Sequence, residues 1–303
     1  MIKRVLDKMQ IPMRKLKESV YGGRLKRYFQ AGQLYHSFLE RTIEQRAERI
    51  PFPGRSYFRL TMGKPDIRAY HEVQGQLALI DADIFDLVGE EYTERDLICA
   101  FDVGNFFYQA KLVDERLSGS DMPLDEKVEI LEKATGPLLG GEPSSDRDLN
   151  SIAQIRRSIP FSVNEDILRI CFKTRSAVSR ALYPLEDEER LTVSSEIGSL
   201  MGDAMFSIMG EHYEMPLWSR EFLIQQGLTA NLFDDVKDFC LDRRIGGGYS
   251  LSFYPRLVKE FVSNFYGIHD TFPTSEEARR FWTFMTLGIG FQAEELLGLK
   301  ERT

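Results

Sequence analysis

Apolar positions recur at three- and four-residue intervals along most of this chain. Alternation with a period of two, the mark of a half-buried strand, is nearly absent. The pattern predicts a helix over 66–88, after the Gly63-Lys64-Pro65 break, and another over 93–117, opened by Thr93 with Asp96 three positions on. A loop follows from Gly119 to Pro123. The next helix, 124–139, stops at Gly140-Gly141-Glu142-Pro143, and Ser144 to Asn150 reads as a polar, mobile connector. Further helices are predicted over 163–183, 187–211, 217–242, 255–266 and 275–298, with Gly246-Gly247-Gly248 as a flexible turn. Long helices joined by short loops make an all-α, single-domain bundle over 51–303, preceded by a basic helical arm over 1–50.

Composition adds limits. With 303 residues, 43% hydrophobic and 28% charged, the chain has enough apolar mass for a sizeable core. Net charge is −8 but uneven: residues 1–30 carry nine Lys/Arg against Asp7 and Glu18. That is +7 there and −15 on the rest. An acidic chain excludes the nucleic-acid binders. The basic start is either a solvated helix face or a peripheral contact with anionic lipid. The apolar stretch Phe281 to Phe291 is too short to span a bilayer, which needs about 20 residues. Cys99, Cys171 and Cys240 form no CxxC pair and predict neither zinc nor disulfides, which fits a cytoplasmic protein. The four histidines, His36, His71, His212 and His269, are too dispersed to make a metal site by spacing.

The strongest chemical signal lies in 231–242. At about 100° per residue, Asn231, Asp234, Asp235, Asp238 and Asp242 share one helical arc, opposite Leu228, Leu232, Val236 and Phe239. Carboxylates crowded together repel unless cations compensate, and only Lys237 stands near. They are hard oxygen ligands suited to Mg²⁺, which in turn bridges phosphate oxygens. The alternative is an ordinary solvated face. A second acidic point, Asp114, shares a face with Ala100, Val103, Phe107 and Ala110. A carboxylate on such a stripe is either a ligand or a partner, here of Lys111 one turn back. Glu115 points about 100° away.

From Gly63 to Pro255 the chain resembles the class I isoprenoid synthases. Gly63-Lys64-Pro65-Asp66-Ile67-Arg68 looks like the Gly-Lys-x-x-Arg segment of trans-prenyl diphosphate synthases. Asp114-Glu115-Arg116-Leu117-Ser118 stands where they carry their first acidic motif, and Asp234-Asp235-x-x-Asp238 matches the second. Asn231-Leu-Phe-Asp234-Asp235, Asp242-Arg243-Arg244 and Tyr249 to Pro255 are also similar to squalene and phytoene synthases. The departures are a reduced first motif (Glu115 and Ser118 for aspartates), no arginine pair after it, Phe107 for a histidine, and Ser195-Glu196 for a Lys-Thr pair.

The resemblance implies helices around a central cavity and a Mg²⁺-dependent prenyltransferase that ionises an allylic prenyl diphosphate and joins it to a second isoprenoid unit. Metal ligands would be Asp114, Glu115, Asn231, Asp234, Asp235 and Asp238, with Asp114 and Asp235 the catalytic pair. The diphosphate would meet Lys64, Arg68, Arg175, Arg180, Lys237, Arg243 and Arg244. Phe106, Phe107, Met201, Met205, Phe206 and Met209 either line a water-free cavity or pack as core. Gly198, Gly202 and Ala204 either make room for a prenyl chain or let helices approach. A terpene cyclase or head-to-head synthase, and a catalytically inactive regulatory subunit, are the competing readings. A homodimer is implied by analogy alone.

Overall fold

The structure, a computed structural model, describes residues 22–117, 122–244 and 248–282. All regular structure among them is helical: α1 (Gly22–Ala47), α2 (Gly54–Met62), α3 (Pro65–Ile84), α4 (Glu94–Leu117), α5 (Leu124–Thr135), α6 (Arg147–Ser158), α7 (Glu165–Ala181), α8 (Asp187–Gly210), α9 (Leu217–Arg244) and α10 (Tyr254–Gly267). A π-turn (Gly136–Gly140) ends α5, a 3-10 turn (Ile268–Thr271) follows α10, and 275–282 are helical. No helix among the described residues is long and apolar enough to cross a membrane.

The boundaries follow local chemistry. Thr93 and Asp96 form a reciprocal cap: the Thr93 N–H donates to Asp96 Oδ2 at 2.6 Å, and the Asp96 N–H to Thr93 Oγ1 at 3.5 Å. The stretch expected to be a mobile connector instead starts a helix. Asp146 Oδ1 accepts from the N–H groups of Asp148 and Leu149, both at 2.9 Å, and α6 runs on with Leu149, Ile152 and Ile155 buried. The polar residues that suggested a loop are a cap and a first turn. The predicted turn at Gly246-Gly247 and residues 119–121 of the predicted loop lie outside the described residues, as does the end of the 275–298 helix. Gly248 takes φ +78, a conformation that favours glycine.

Two large core clusters run through the bundle. One joins α1, α2, α3, α4, α5 and α6 around Tyr35, Leu39, Ile50, Phe58, Tyr108 and Leu149. Residues 22–47, expected to be an arm, thus contribute fully buried side chains, and a boundary at residue 50 separates no two cores. The other cluster joins α3, α4, α7, α8 and α9. Phe106, Phe107, Met205 and Met209 are buried in it, and Met201 and Phe206 pack against it. The rings of Phe106, Phe107 and Phe161 meet edge to face at 5.2 Å. These candidate cavity residues therefore pack as core.

Residues α8 and α9 share a long antiparallel seam. A Cβ on Gly202 would lie 2.0 Å from the Leu223 carbonyl oxygen, and one on Gly227 would lie 2.3 Å from that of Gly198. Of the two readings of these small residues, close helix approach is the one observed. The seam continues in steps of four along α9 through Leu223, Gly227, Asn231 and Asp235. Helix α3 crosses to α9 through Gln226, whose Nε2 donates to Asp81 Oδ1 at 3.1 Å. Asp81 is fully buried, and burial pushes its carboxyl up to about 8, so it is held neutral at pH 7.

Candidate functional site

The glycine seam sets the register of the acidic stretch. Because Asn231 and Asp235 continue the line that faces α8, they meet Ser194 rather than open solvent. Asn231 Nδ2 donates to the Ser194 carbonyl oxygen at 2.9 Å and to its Oγ at 2.6 Å. The Ser194 hydroxyl donates to Asp235 Oδ2 at 2.5 Å, and the Tyr249 hydroxyl donates to the same oxygen at 2.9 Å. Tyr249 is buried; burial, then the Asp235 charge, raises its pKa well above the ordinary tyrosine value, so it stays a donor. The chain that carries Tyr249 is pinned to the start of α8: the Ser250 N–H donates to Asp187 Oδ1 at 2.9 Å, and Arg256 pairs with Glu188.

These residues line a pocket of about 180 Å³ together with Arg190, Leu185 and Ile197. The Arg190 Nε is buried with no hydrogen-bond partner among the described residues, and its guanidinium lies 5.8 Å from the Tyr249 ring centre. Among the described residues, the pocket thus holds one carboxylate and one cation. An anion bridged to Asp235 by a divalent ion would meet a guanidinium donor there.

Asp234, next in sequence to Asp235, turns about 100° away. It is exposed and accepts from Lys237 Nζ at 2.8 Å. The Asp238, Asp242, Arg243 and Arg244 side chains lie outside the described residues. Among the described residues, no three His, Cys, Asp or Glu side chains gather as a metal site.

The end of α4 is built differently. Lys111 Nζ donates to Asp114 Oδ2 at 2.5 Å and lies 3.7 Å from Glu115 Oε1, and Lys64 Nζ reaches Glu115 Oε2 at 3.4 Å. Burial works against the Lys111 charge, but the hydrogen bond to Asp114 and the charges of Asp114 and Glu115 outweigh it and raise its pKa. Arg116 points elsewhere, to Asp146 at 3.0 Å, and so holds the cap of α6. Asp114 and Glu115 thus share Lys111, while Arg116 faces another side of the helix. Ser118 lies outside the described residues.

Tyr70 of α3 connects the two ends. Burial raises its pKa, and the Asp114 and Asp234 charges raise it further. Both carboxylates therefore act on one phenol, and the acidic ends of α4 and α9 belong to the same end of the bundle.

The remaining predicted groups are dispersed. Arg68 pairs with Glu40 of α1. Arg180 pairs with Glu196 of α8, and Arg175 donates to Thr135 Oγ1 at 3.3 Å. Each histidine has its own company: His36 with Glu72 at 2.8 Å, His212 with Asp102 at 2.9 Å, His269 with Trp282 at 3.1 Å, and His71 buried near Tyr35 at 3.4 Å. Sequence reasoning missed Arg190, Ser194 and the Asp81–Gln226 pair. Ser194 was findable, lying four residues before Gly198 on the same stripe. Arg190 carried no signal beyond its charge.

No protein-family model, no curated protein and no solved structure matches this chain.

Proposed function

We propose that this protein is a Mg²⁺-dependent transferase that binds an allylic prenyl diphosphate, ionises it and joins it to a second isoprenoid unit. The observation that carries the reading is the Asn231–Ser194–Asp235–Tyr249 network on a pocket that also holds Arg190. Two hydroxyls orient Asp235, a hard oxygen ligand, and the Arg190 guanidinium lining the same pocket suits the anion that a cation would bring. Asp235 and Asn231 supply hard oxygens that fit Mg²⁺, with Asp114 at the facing end. Bound there, the ion would act as a Lewis acid and offset the charge of the departing diphosphate. Arg190 and Lys237 would hold that diphosphate in place. Ser194 and Tyr249 would orient Asp235.

The head-to-head reading has one observation in its favour. Tyr249 belongs to the Tyr249 to Pro255 stretch that resembles squalene and phytoene synthases, and its hydroxyl reaches the acidic helix.

The test is diphosphate release from geranyl, farnesyl and geranylgeranyl diphosphate with Mg²⁺, with and without isopentenyl diphosphate, run beside Asp235→Ala. Release that needs isopentenyl diphosphate and is lost in Asp235→Ala establishes the transferase. Release without it selects the cyclase or head-to-head reading. No release from the folded protein leaves the inactive relative.

A further inference from the structure

Helix α2 is amphipathic in an unusual sense, because its outward side carries large apolar groups as well as charge. Its inner residues Phe58, Thr61 and Met62 are buried. Phe52, on the turn that enters it, is 79% exposed, and Leu60 is 66% exposed. Within α2, at about 100° per residue, Arg55, Ser56, Arg59 and Leu60 fall in one arc and are exposed, and Phe52 is exposed on the turn that precedes it. From Arg46 to Lys64 the chain has five basic residues and one acid, Glu48, inside a protein of net charge −8. Arg55 is turned back, donating to the carbonyl oxygens of Ile50 and Glu48 at 2.9 and 2.7 Å, and so fixes the turn that presents Phe52. Arg46, Arg49 and Arg59 make no ion pair among the described residues.

We infer that the Phe52–Leu60 face of α2, with Arg46, Arg49 and Arg59 around it, docks this protein on an anionic lipid surface. Two apolar side chains on a convex helix bury a few hundred Å² at most, well short of the roughly 1,000 Å² a stable protein interface needs. A bilayer sets no such minimum. It takes single side chains into its headgroup boundary, and each arginine near an anionic surface adds about 1 kcal/mol, a factor of about five. Sign and composition both fit. The face is distinct from the basic residues 1–21, which lie outside the described residues.

Position adds a consequence that rests on the proposed function, although the docking does not. Lys64, just beyond α2, reaches Glu115 at 3.4 Å, so this face adjoins the acidic end of α4. A docked protein would hold that end at the lipid surface, where an amphipathic prenyl diphosphate resides.

The experiment is co-sedimentation of the full chain with vesicles of phosphatidylcholine alone and of phosphatidylcholine mixed with phosphatidylglycerol; no substrate is needed, so its outcome is independent of catalysis. Binding is expected to the anionic vesicles and not to the neutral ones. Phe52→Ser with Leu60→Ser should weaken it on the order of tenfold, and Arg49→Gln with Arg59→Gln on the order of twentyfold. All four side chains are exposed, so melting curves should be unchanged; if the apolar pair fails to fold, the arginine pair carries the test. The proposal is overturned by no binding, or by equal binding to both vesicles. Binding unchanged in both variants would also overturn it and place the contact in the basic N-terminus. A change in oligomeric state with vesicle binding intact would overturn it in favour of a second copy of the chain.

Discussion

The ends of α4 and α9 both present acidic residues to the same end of the bundle, yet they are chemically unlike. At the end of α4, Asp114 is 58% exposed and its charge is met by the flexible Lys111, with Lys64 on Glu115 beside it. On α9, Asp235 is fixed by the Ser194 and Tyr249 hydroxyls inside a pocket. Lysines offset a carboxylate and move with it; hydroxyls on packed elements fix the direction in which it points. Acidic density along a helix marks a candidate site, but the type of donor around each oxygen decides which carboxylate is pre-organised for a cation.

The largest expected effect breaks the α9 side outright. Gly202→Val places side-chain carbons against the Leu223 backbone, where a Cβ alone would come within 2.0 Å. Neither helix backbone can yield locally, so the α8–α9 seam must open. Urea unfolding should show a loss of more than about 4 kcal/mol, or no folded protein. Gly89→Ala, with nothing within 4 Å of the added carbon, should be neutral within about 0.5 kcal/mol.

Activity should rank the two ends. Asp235→Asn keeps size and hydrogen bonding but removes the charge, and Mg²⁺-dependent diphosphate release should fall on the order of 100-fold. Asp114→Asn should cost roughly tenfold, because Glu115 stands beside it. Equal losses would dissolve the distinction between the ends.

A smaller effect concerns the crossing of α3 and α9. The folded Asp81 carboxyl titrates at about 8 against 3.8 unfolded, so its contribution is fully present below 3.8 and is lost as pH rises through about 8. Above that window the unfolded chain holds the ionised form more comfortably than the core does. Asp81→Asn should remove this slope and raise stability at pH 8 by on the order of 1–3 kcal/mol, read from melting curves across pH 4–9 as a crossing of the two profiles.

Most helices were legible in the sequence because their apolar spacing is regular and tertiary packing agrees with it; α8 and α9 fall within two residues of expectation. The start of α6 and the burial of one side of α1 were not anticipated, each for a stated cause. The polar run before α6 is a cap rather than a loop, and the basic charge of 1–50 hid the buried Tyr35 and Leu39. At the site, the helical arc was right to place Asn231 and Asp235 together, since they stand four apart. It could not tell that Asp234 faces Lys237 and solvent while Asp235 faces α8. That division comes from the glycine seam, a contact between two helices that single-helix periodicity does not contain. Nor could it find Arg190, which reaches the pocket from another helix.

The finest test of the contrast is stability without catalysis. Tyr249→Phe removes a buried donor from a carboxylate and leaves the ring in place. Hydrogen bonds to charged groups are worth about 1.5–3 kcal/mol, so a loss near the lower figure is expected, with little dependence on salt because the pair is shielded from solvent. Asp114→Ala removes an exposed one-turn ion pair, which contributes about 0.5 kcal/mol or less and is screened by salt. It also relieves Glu115 of a neighbouring like charge, which works in the opposite direction. Chemical denaturation at low and high salt should therefore show Tyr249→Phe destabilised at both and Asp114→Ala close to wild type at both. An Asp114→Ala loss as large as that of Tyr249→Phe would mean that Lys111 and Asp114 act as a fixed pair, and that the α4 end is as pre-organised as the pocket on α9.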